Sequence, residues 1–273
     1  MTPDSASPPR DRLDPLQPTE LYFYELFSAA PLPGFLLSQE VSMESCAALI
    51  AKAKTHGLRL TYVTLLVRAV GLALHRMGPE HVMTNSRHRL TPGRVDITVP
   101  VGGTGVSFCP LSMHLLDVGR SNLQDVASEM TRQAEALRRP QPEVLRQLDR
   151  FGPLLRIGWL RRKVIRRFVT NIRWRQRHMG TVQVSCLPTV DFFAPLNPFV
   201  GTIIGMGAVR QRPAVEKGQL VVKLAANVAA TFDHRVWNGL GASKFLHDVQ
   251  QILSSGELES EIHYLGQETS VTV

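Results

Sequence analysis

Residues 219 to 253 constrain the fold more than any other stretch of this chain. Gln219 to Phe232 is a long strand-forming run that delivers Asp233-His234-Arg235 to its end. Asn238-Gly239 then turns the chain directly into a helix from about Gly241 to Leu253, with Phe245, Leu246, Val249 and Ile252 on its apolar face. A strand end followed at once by a helix fixes a side chain towards a cleft. A histidine on strand-end geometry alone is more often a structural or surface residue than a base. The surrounding pattern makes His234 a candidate, because imidazole titrates near neutrality and can accept a proton from an attacking group.

The preceding elements alternate irregularly between strand and helix, with no internal repeat. Gly34 to Val41 reads as a strand after Pro31 and Pro33, and Ser42 to Ser45 offers capping residues for a helix reaching Lys54. From Thr61, the spacing of Val63, Val67, Val70, Leu74 and Met77 predicts a helix with one buried face, ended by Gly78-Pro79. Val95 to Val101 alternates as a strand and, with the Gly102 to Gly105 turn, predicts a hairpin. Ser121 to Leu137 reads as a capped helix closed by Arg138-Arg139-Pro140. Thr181 to Leu187 and Thr202 to Val209 read as strands, and Glu216-Lys217-Gly218 as the turn into the long one.

With 273 residues, 44% of them hydrophobic, the chain can bury one substantial core. We divide it into a disordered leader at 1–19, a folded domain at 20–256 and a C-terminal tail at 257–273. The leader is rich in proline and charge and lacks the apolar core of an export signal. Arg68 interrupts the apolar run from Tyr62 to Leu74, so no uncharged stretch reaches the roughly 18 residues of a membrane span. Cys46, Cys109 and Cys186 are widely spaced, which suggests neither a disulfide framework nor a zinc site. Together these readings predict a cytoplasmic protein without a metal, soluble or peripheral to a membrane.

The stretch from Thr231 to Gly239 resembles the active-site segment of the chloramphenicol acetyltransferase-like superfamily. It is similar both to the H-x-x-x-D-G motif of chloramphenicol acetyltransferases and to the D-H-R-x-x-D-G signature of 2-oxoacid dehydrogenase dihydrolipoamide acyltransferases, with Phe245-Leu246 at the matching distance. Gly205 to Val209, the strand from Gln219 to Ala230 and Val184 to Pro188 resemble further segments of the latter family. More weakly, so do the helix from Thr61 to Met77, Asn85 and the Val95 to Val101 strand, and the likeness covers roughly residues 20 to 256.

The resemblance implies an α/β (α+β) fold, a two-layer sandwich with a mixed sheet. It also implies a homotrimer whose histidine and serine come from adjacent subunits, and coenzyme A as acyl-CoA co-substrate. On this reading His234 is the general base and Ser185 stabilises the oxyanion formed by attack on a thioester. Asn238, standing where the family has aspartate, supports the local turn. In chloramphenicol acetyltransferases that aspartate pairs with an arginine near the amino terminus, and Pro18 to Phe27 holds none here. Loss of both charged partners fits a site rebuilt on neutral hydrogen bonds, or a degenerate one. Asp233 could orient His234, although a carboxylate beside such a turn more often satisfies backbone donors.

Three functions follow: an acyltransferase moving an acyl group between a CoA thioester and a thiol, hydroxyl or amine acceptor; an inactive trimeric scaffold or membrane- or partner-binding module; or a trans-acting acyltransferase of a 2-oxoacid dehydrogenase assembly. No lipoyl-carrying segment is recognisable, so the expected donor is a CoA thioester or another protein's carrier.

Residues 151 to 177 hold nine basic side chains and no acid, which leaves 22 basic against 23 acidic residues elsewhere. With Leu154-Leu155, Ile157, Leu160, Val164, Phe168 and Ile172 as an apolar stripe, the segment predicts a single basic amphipathic helix. Anionic lipid headgroups, the phosphates of CoA and an acidic protein are its open functional readings, and Trp159 and Trp174 suit an interface. A solvated helix packing its stripe on the core is the structural alternative. No nucleic-acid-binding motif accompanies the charge, so nucleic acid is not an expected partner.

Overall fold

The computed structural model describes residues 11–15, 34–102, 111–139, 157–196 and 200–262. The Pro31 and Pro33 breaks, the turn beyond Gly102, Cys109, Pro140 and Leu154-Leu155 lie outside them.

A seven-stranded mixed sheet is built around the long strand. Its strands are β2 (Gly34–Ser42), β5 (Ile97–Pro100), β6 (Ser112–Leu115), β7 (Val182–Cys186), β8 (Thr202–Met206), β9 (Arg210–Glu216) and β10 (Gln219–Asp233). Their order is β2-β10-β8-β7-β5-β6, with β9 also on β10. The β5–β7 and β7–β8 pairs are parallel and the others antiparallel. β10 alternates as a strand with one core face should: Ala226, Val228, Ala230 and Phe232 enter the main core.

That core is closed by α1 (Glu44–Thr55), α2 (Tyr62–Met77), α3 (Leu123–Leu137) and α6 (Gly239–Ser255). Thr61 caps α2 by accepting from the Thr64 amide at 3.2 Å. The expectation of one buried face on α2 is too modest. Leu65, Leu66, Val67, Ala69, Val70, Ala73 and Leu74 are all buried, so the helix is enclosed on every side. Arg68 is buried with it and donates to Glu261 at 2.6 and 2.7 Å and to the Val118 carbonyl at 2.9 Å.

That pairing corrects the 257–273 boundary. The 3-10 turn Glu257–Glu261 is part of the folded body, and Leu258 and Ile262 are buried in the main core. The 1–19 leader is corrected as well. Arg12–Pro15 forms β1, paired with β4 (His88–Thr91), which also pairs β3 (Met83–Thr84). β9 is a strand of its own, preceded by a break after β8, and Lys217 and Gly218 turn it into β10 with φ of 49° and 80°.

The basic segment is not one helix. It divides into α4 (Gly158–Val169) and α5 (Ile172–Met179), because Asn171 leaves the helical path and caps α5 through the Trp174 amide at 3.1 Å. α5 is fastened down: Ile172 packs with Met83 and Leu90, Arg175 donates to the Thr84 carbonyl and Gln176 to Asp11 at 3.1 Å. Of the apolar stripe, Ile172 alone lies in α5, and it packs in a small cluster apart from the main core, whereas none of the described α4 side chains is buried.

Candidate active site

β10 places its last residues between two neighbours, with Asp233 opposite Gly34 and Phe232 opposite both Phe35 and Thr202. The turn that follows is over-determined. The amides of Val236 and Trp237 both donate to the Asp233 carbonyl, at 3.0 and 2.9 Å. The Asp233 carboxylate takes the Arg235 amide at 2.9 Å and holds the Arg235 guanidinium by a fork, Nη2 to Oδ2 at 2.7 Å and Nε to Oδ1 at 2.9 Å. Asp233 thus ties down the turn through Arg235. Trp237 is buried against Phe232 and Phe245, which locks the other side of the turn.

His234 stands exposed on this base. Its ring meets Phe35 edge-on, with centroids 4.9 Å apart, and its Nδ1 lies 3.0 Å from the Trp237 carbonyl oxygen. A carbonyl oxygen only accepts, so Nδ1 carries the proton in that bond, and a neutral imidazole then has its lone pair on Nε2. Asn238 is also exposed and caps α6, its Oδ1 accepting from the Gly241 amide at 2.7 Å.

Ser185 is not brought to this turn. It lies on β7 opposite Gly205, which lies opposite Ala229 of β10, five residues before His234. Two strand spacings and five residue rises separate them, roughly 20 Å. The two residues occupy opposite ends of the sheet within one chain. The ring end of Phe193 packs over Gly205 where a Cβ would stand, so a larger residue beside Ser185 would displace that ring. Burial pushes the neighbouring Cys186 thiol up to about 11, which keeps it protonated at neutral pH.

Phe35 and the Trp237 carbonyl are the contacts that sequence reasoning missed. The first depends on β2 pairing with β10, and the second on a backbone group that no side-chain pattern reports. A separate cavity of about 270 Å³ opens between α2, β5, β6 and α3, with Arg59 and Arg138 as the cations on its wall. Among the described residues no group of three or more His, Cys, Asp or Glu could hold a metal ion.

The family model for the 2-oxoacid dehydrogenases acyltransferase catalytic domain matches residues 176–259. The lipoamide acyltransferase component of the branched-chain alpha-keto acid dehydrogenase complex of Pseudomonas putida is 39% identical over 61 residues, 21% of this chain and 14% of that protein. The matches span between 12% and 38% of the lengths of three such curated relatives. Dihydrolipoamide acetyltransferase of Azotobacter vinelandii superposes with a TM-score of 0.62 at 17% identity, covering 89% of this chain and 88% of that one. A chloramphenicol acetyltransferase superposes with a TM-score of 0.56 at 12% identity, covering 86% and 95%. The chain has the chloramphenicol acetyltransferase-like fold, and over residues 176–259 it carries the sequence pattern of the catalytic domain of 2-oxoacid dehydrogenase acyltransferases.

Proposed function

We propose that the chain is an acyltransferase that moves an acyl group between a CoA thioester and a thiol, hydroxyl or amine acceptor. The observation that carries this reading is the bond from His234 Nδ1 to the Trp237 carbonyl, which leaves Nε2 as the basic nitrogen. Nε2 takes the proton from the acceptor as its heteroatom attacks the thioester carbonyl carbon. The tetrahedral oxyanion accepts a hydrogen bond from the Ser185 hydroxyl. Collapse breaks the carbon–sulfur bond, and the departing CoA sulfur recovers the proton from His234.

Ser185 and His234 of one chain cannot act on one carbonyl across roughly 20 Å, so the reading includes a homotrimer in which a neighbouring copy supplies the serine. Exposed Leu36, Leu187, Val190, Phe192 and Leu196 supply apolar area for such contacts. Asn238 holds the turn as the helix cap. The Azotobacter vinelandii acetyltransferase supports that choice of residues: a serine, a histidine and an asparagine four positions after the histidine were investigated for their role in its catalytic mechanism.

The test is release of free CoA thiol from a panel of acyl-CoA esters by the purified chain. His234→Ala should reduce it by about 10² to 10⁴. Equal release by wild type and variant, or none by either, would sink the reading; none by either, with biological function unimpaired in His234→Ala, is what the inactive scaffold requires. The match over residues 176–259 favours one refinement, a dihydrolipoamide thiol on another protein as the acceptor. Failure to exchange acyl groups with free dihydrolipoamide, while another acceptor is used, excludes that refinement alone.

A further inference from the structure

Helix α4 has no part in the chemistry above and lies outside the 176–259 match. It is exposed along its length: Trp159 is 67% exposed, Ile165 52%, Phe168 45% and Val164 41%. At about 100° per residue, Leu160, Val164 and Phe168 form a row, and Ile165 and Val169 extend it to an arc of about half the circumference that is apolar except at the position of Arg161. Arg162, Arg166, Lys163 and Arg167 occupy the opposite arc, with Trp159 among them, and the helix contains no acid.

The helix is held at one end. Phe168 stacks on Trp174 with centroids 5.4 Å apart, the Thr170 hydroxyl donates to the Arg166 carbonyl at 2.9 Å, and Asn85 donates to the Thr170 carbonyl at 3.3 Å. Beyond that corner α5 is the buried anchor. The division is physical: α5 buries Ile172, Arg175 and Gln176 in the fold, and in α4 none of the described side chains is buried.

We propose that α4 is a docking element for an anionic phospholipid surface, lying in the plane of the interface with its apolar arc in the acyl boundary and its cations on the headgroups. Charge complementarity selects this occupant. A second copy laid face to face on α4 would set a helix of five basic residues and no acid against another of the same charge. A free phosphate would leave the apolar arc in water, whereas a bilayer satisfies both arcs of a helix only about 18 Å long. Trp159, at the amino-terminal end, is the aromatic residue suited to the headgroup level.

The experiment is co-sedimentation of the full chain with phosphatidylcholine vesicles, with and without about one-third phosphatidylglycerol. Binding is expected to the anionic vesicles only, to weaken with salt, and to be accompanied by a tryptophan emission blue shift that Trp159→Phe abolishes. Arg162→Glu with Arg166→Glu should weaken binding about tenfold or more, and Val164→Ser with Ile165→Ser, at exposed positions, should weaken it as well. Three results would overturn the proposal: no sedimentation, equal binding to neutral vesicles, or a Val164→Ser/Ile165→Ser variant that changes assembly mass but binds vesicles like wild type. The last would assign the helix to a second copy. His234→Ala should bind vesicles normally, so failure here and failure of the acyltransferase reading are separable.

Discussion

His81 is buried at the edge of β3, and burial lowers its pKa to about 4. In an unfolded chain histidine titrates near 6.5. Between those values the unfolded chain binds a proton that the folded protein does not, so falling pH favours unfolding. The stability that depends on neutral His81 is full above about pH 6.5 and declines as pH drops towards 4, on the order of 3 kcal/mol in all. Asp96 has the opposite sign: burial raises its carboxyl pKa, so the folded state takes up that proton first and gains as pH falls. Comparing wild type with His81→Gln cancels the aspartate. Urea midpoints measured from about pH 7 to 4.5 should fall more steeply for wild type, and parallel curves would show that His81 does not carry the acid limb. Asn238 makes a different residue-scale prediction. As the cap of α6 it should tolerate Asn238→Asp, also a good cap, whereas Asn238→Ala should lose about 1 kcal/mol. Equal melting of all three proteins would exclude the capping role.

At the scale of elements, α5 hands the chain to β7 through Gly180. That residue has φ of 74°, and a Cβ there would stand 2.7 Å from the Asp96 carbonyl oxygen. The same carbonyl accepts the Thr181 amide at 2.7 Å, so it cannot easily retreat. Gly180→Ala should therefore cost about 2 kcal/mol or more, visible as a lowered melting temperature. An unchanged one would mean that the turn relaxes freely. Sequence pattern made β2, β10 and the cores of α1, α2, α3 and α6 legible, because their apolar spacing is long and uninterrupted. It hid β9, whose Arg210, Gln211, Arg212 and Pro213 suit an edge and acquire strand form only by pairing with β10. It hid β1 for the same reason, as four residues including Arg12, Asp14 and Pro15. The break between α4 and α5 was readable in principle from Asn171, a capping residue, but an apolar period running through it masked the signal. At the site, the histidine motif announced His234. Its support by Phe35 and the Trp237 carbonyl was not legible, because both depend on tertiary contact.

The whole molecule carries the sharpest consequence of the register. Ser185 and His234 sit at opposite ends of one sheet, so in the proposed trimer each site takes its histidine from one copy and its serine from the next. Two disabled variants should then rescue each other. Ser185→Ala and His234→Ala, each inactive as a pure protein, still carry one intact half-site per chain. In trimers assembled at random from equal amounts, a site has an intact histidine and an intact serine with a probability of about one quarter. Co-expressed and co-purified, the mixture should recover about that share of wild-type thiol release. Separately purified variants mixed without subunit exchange should recover none. A co-expressed mixture no more active than either variant alone would place both groups in one chain's site or remove one of them from the chemistry. Because a mixed trimer holds one complete site among its three, recovery cannot exceed about one third, and recovery well above that would exclude the shared-site trimer.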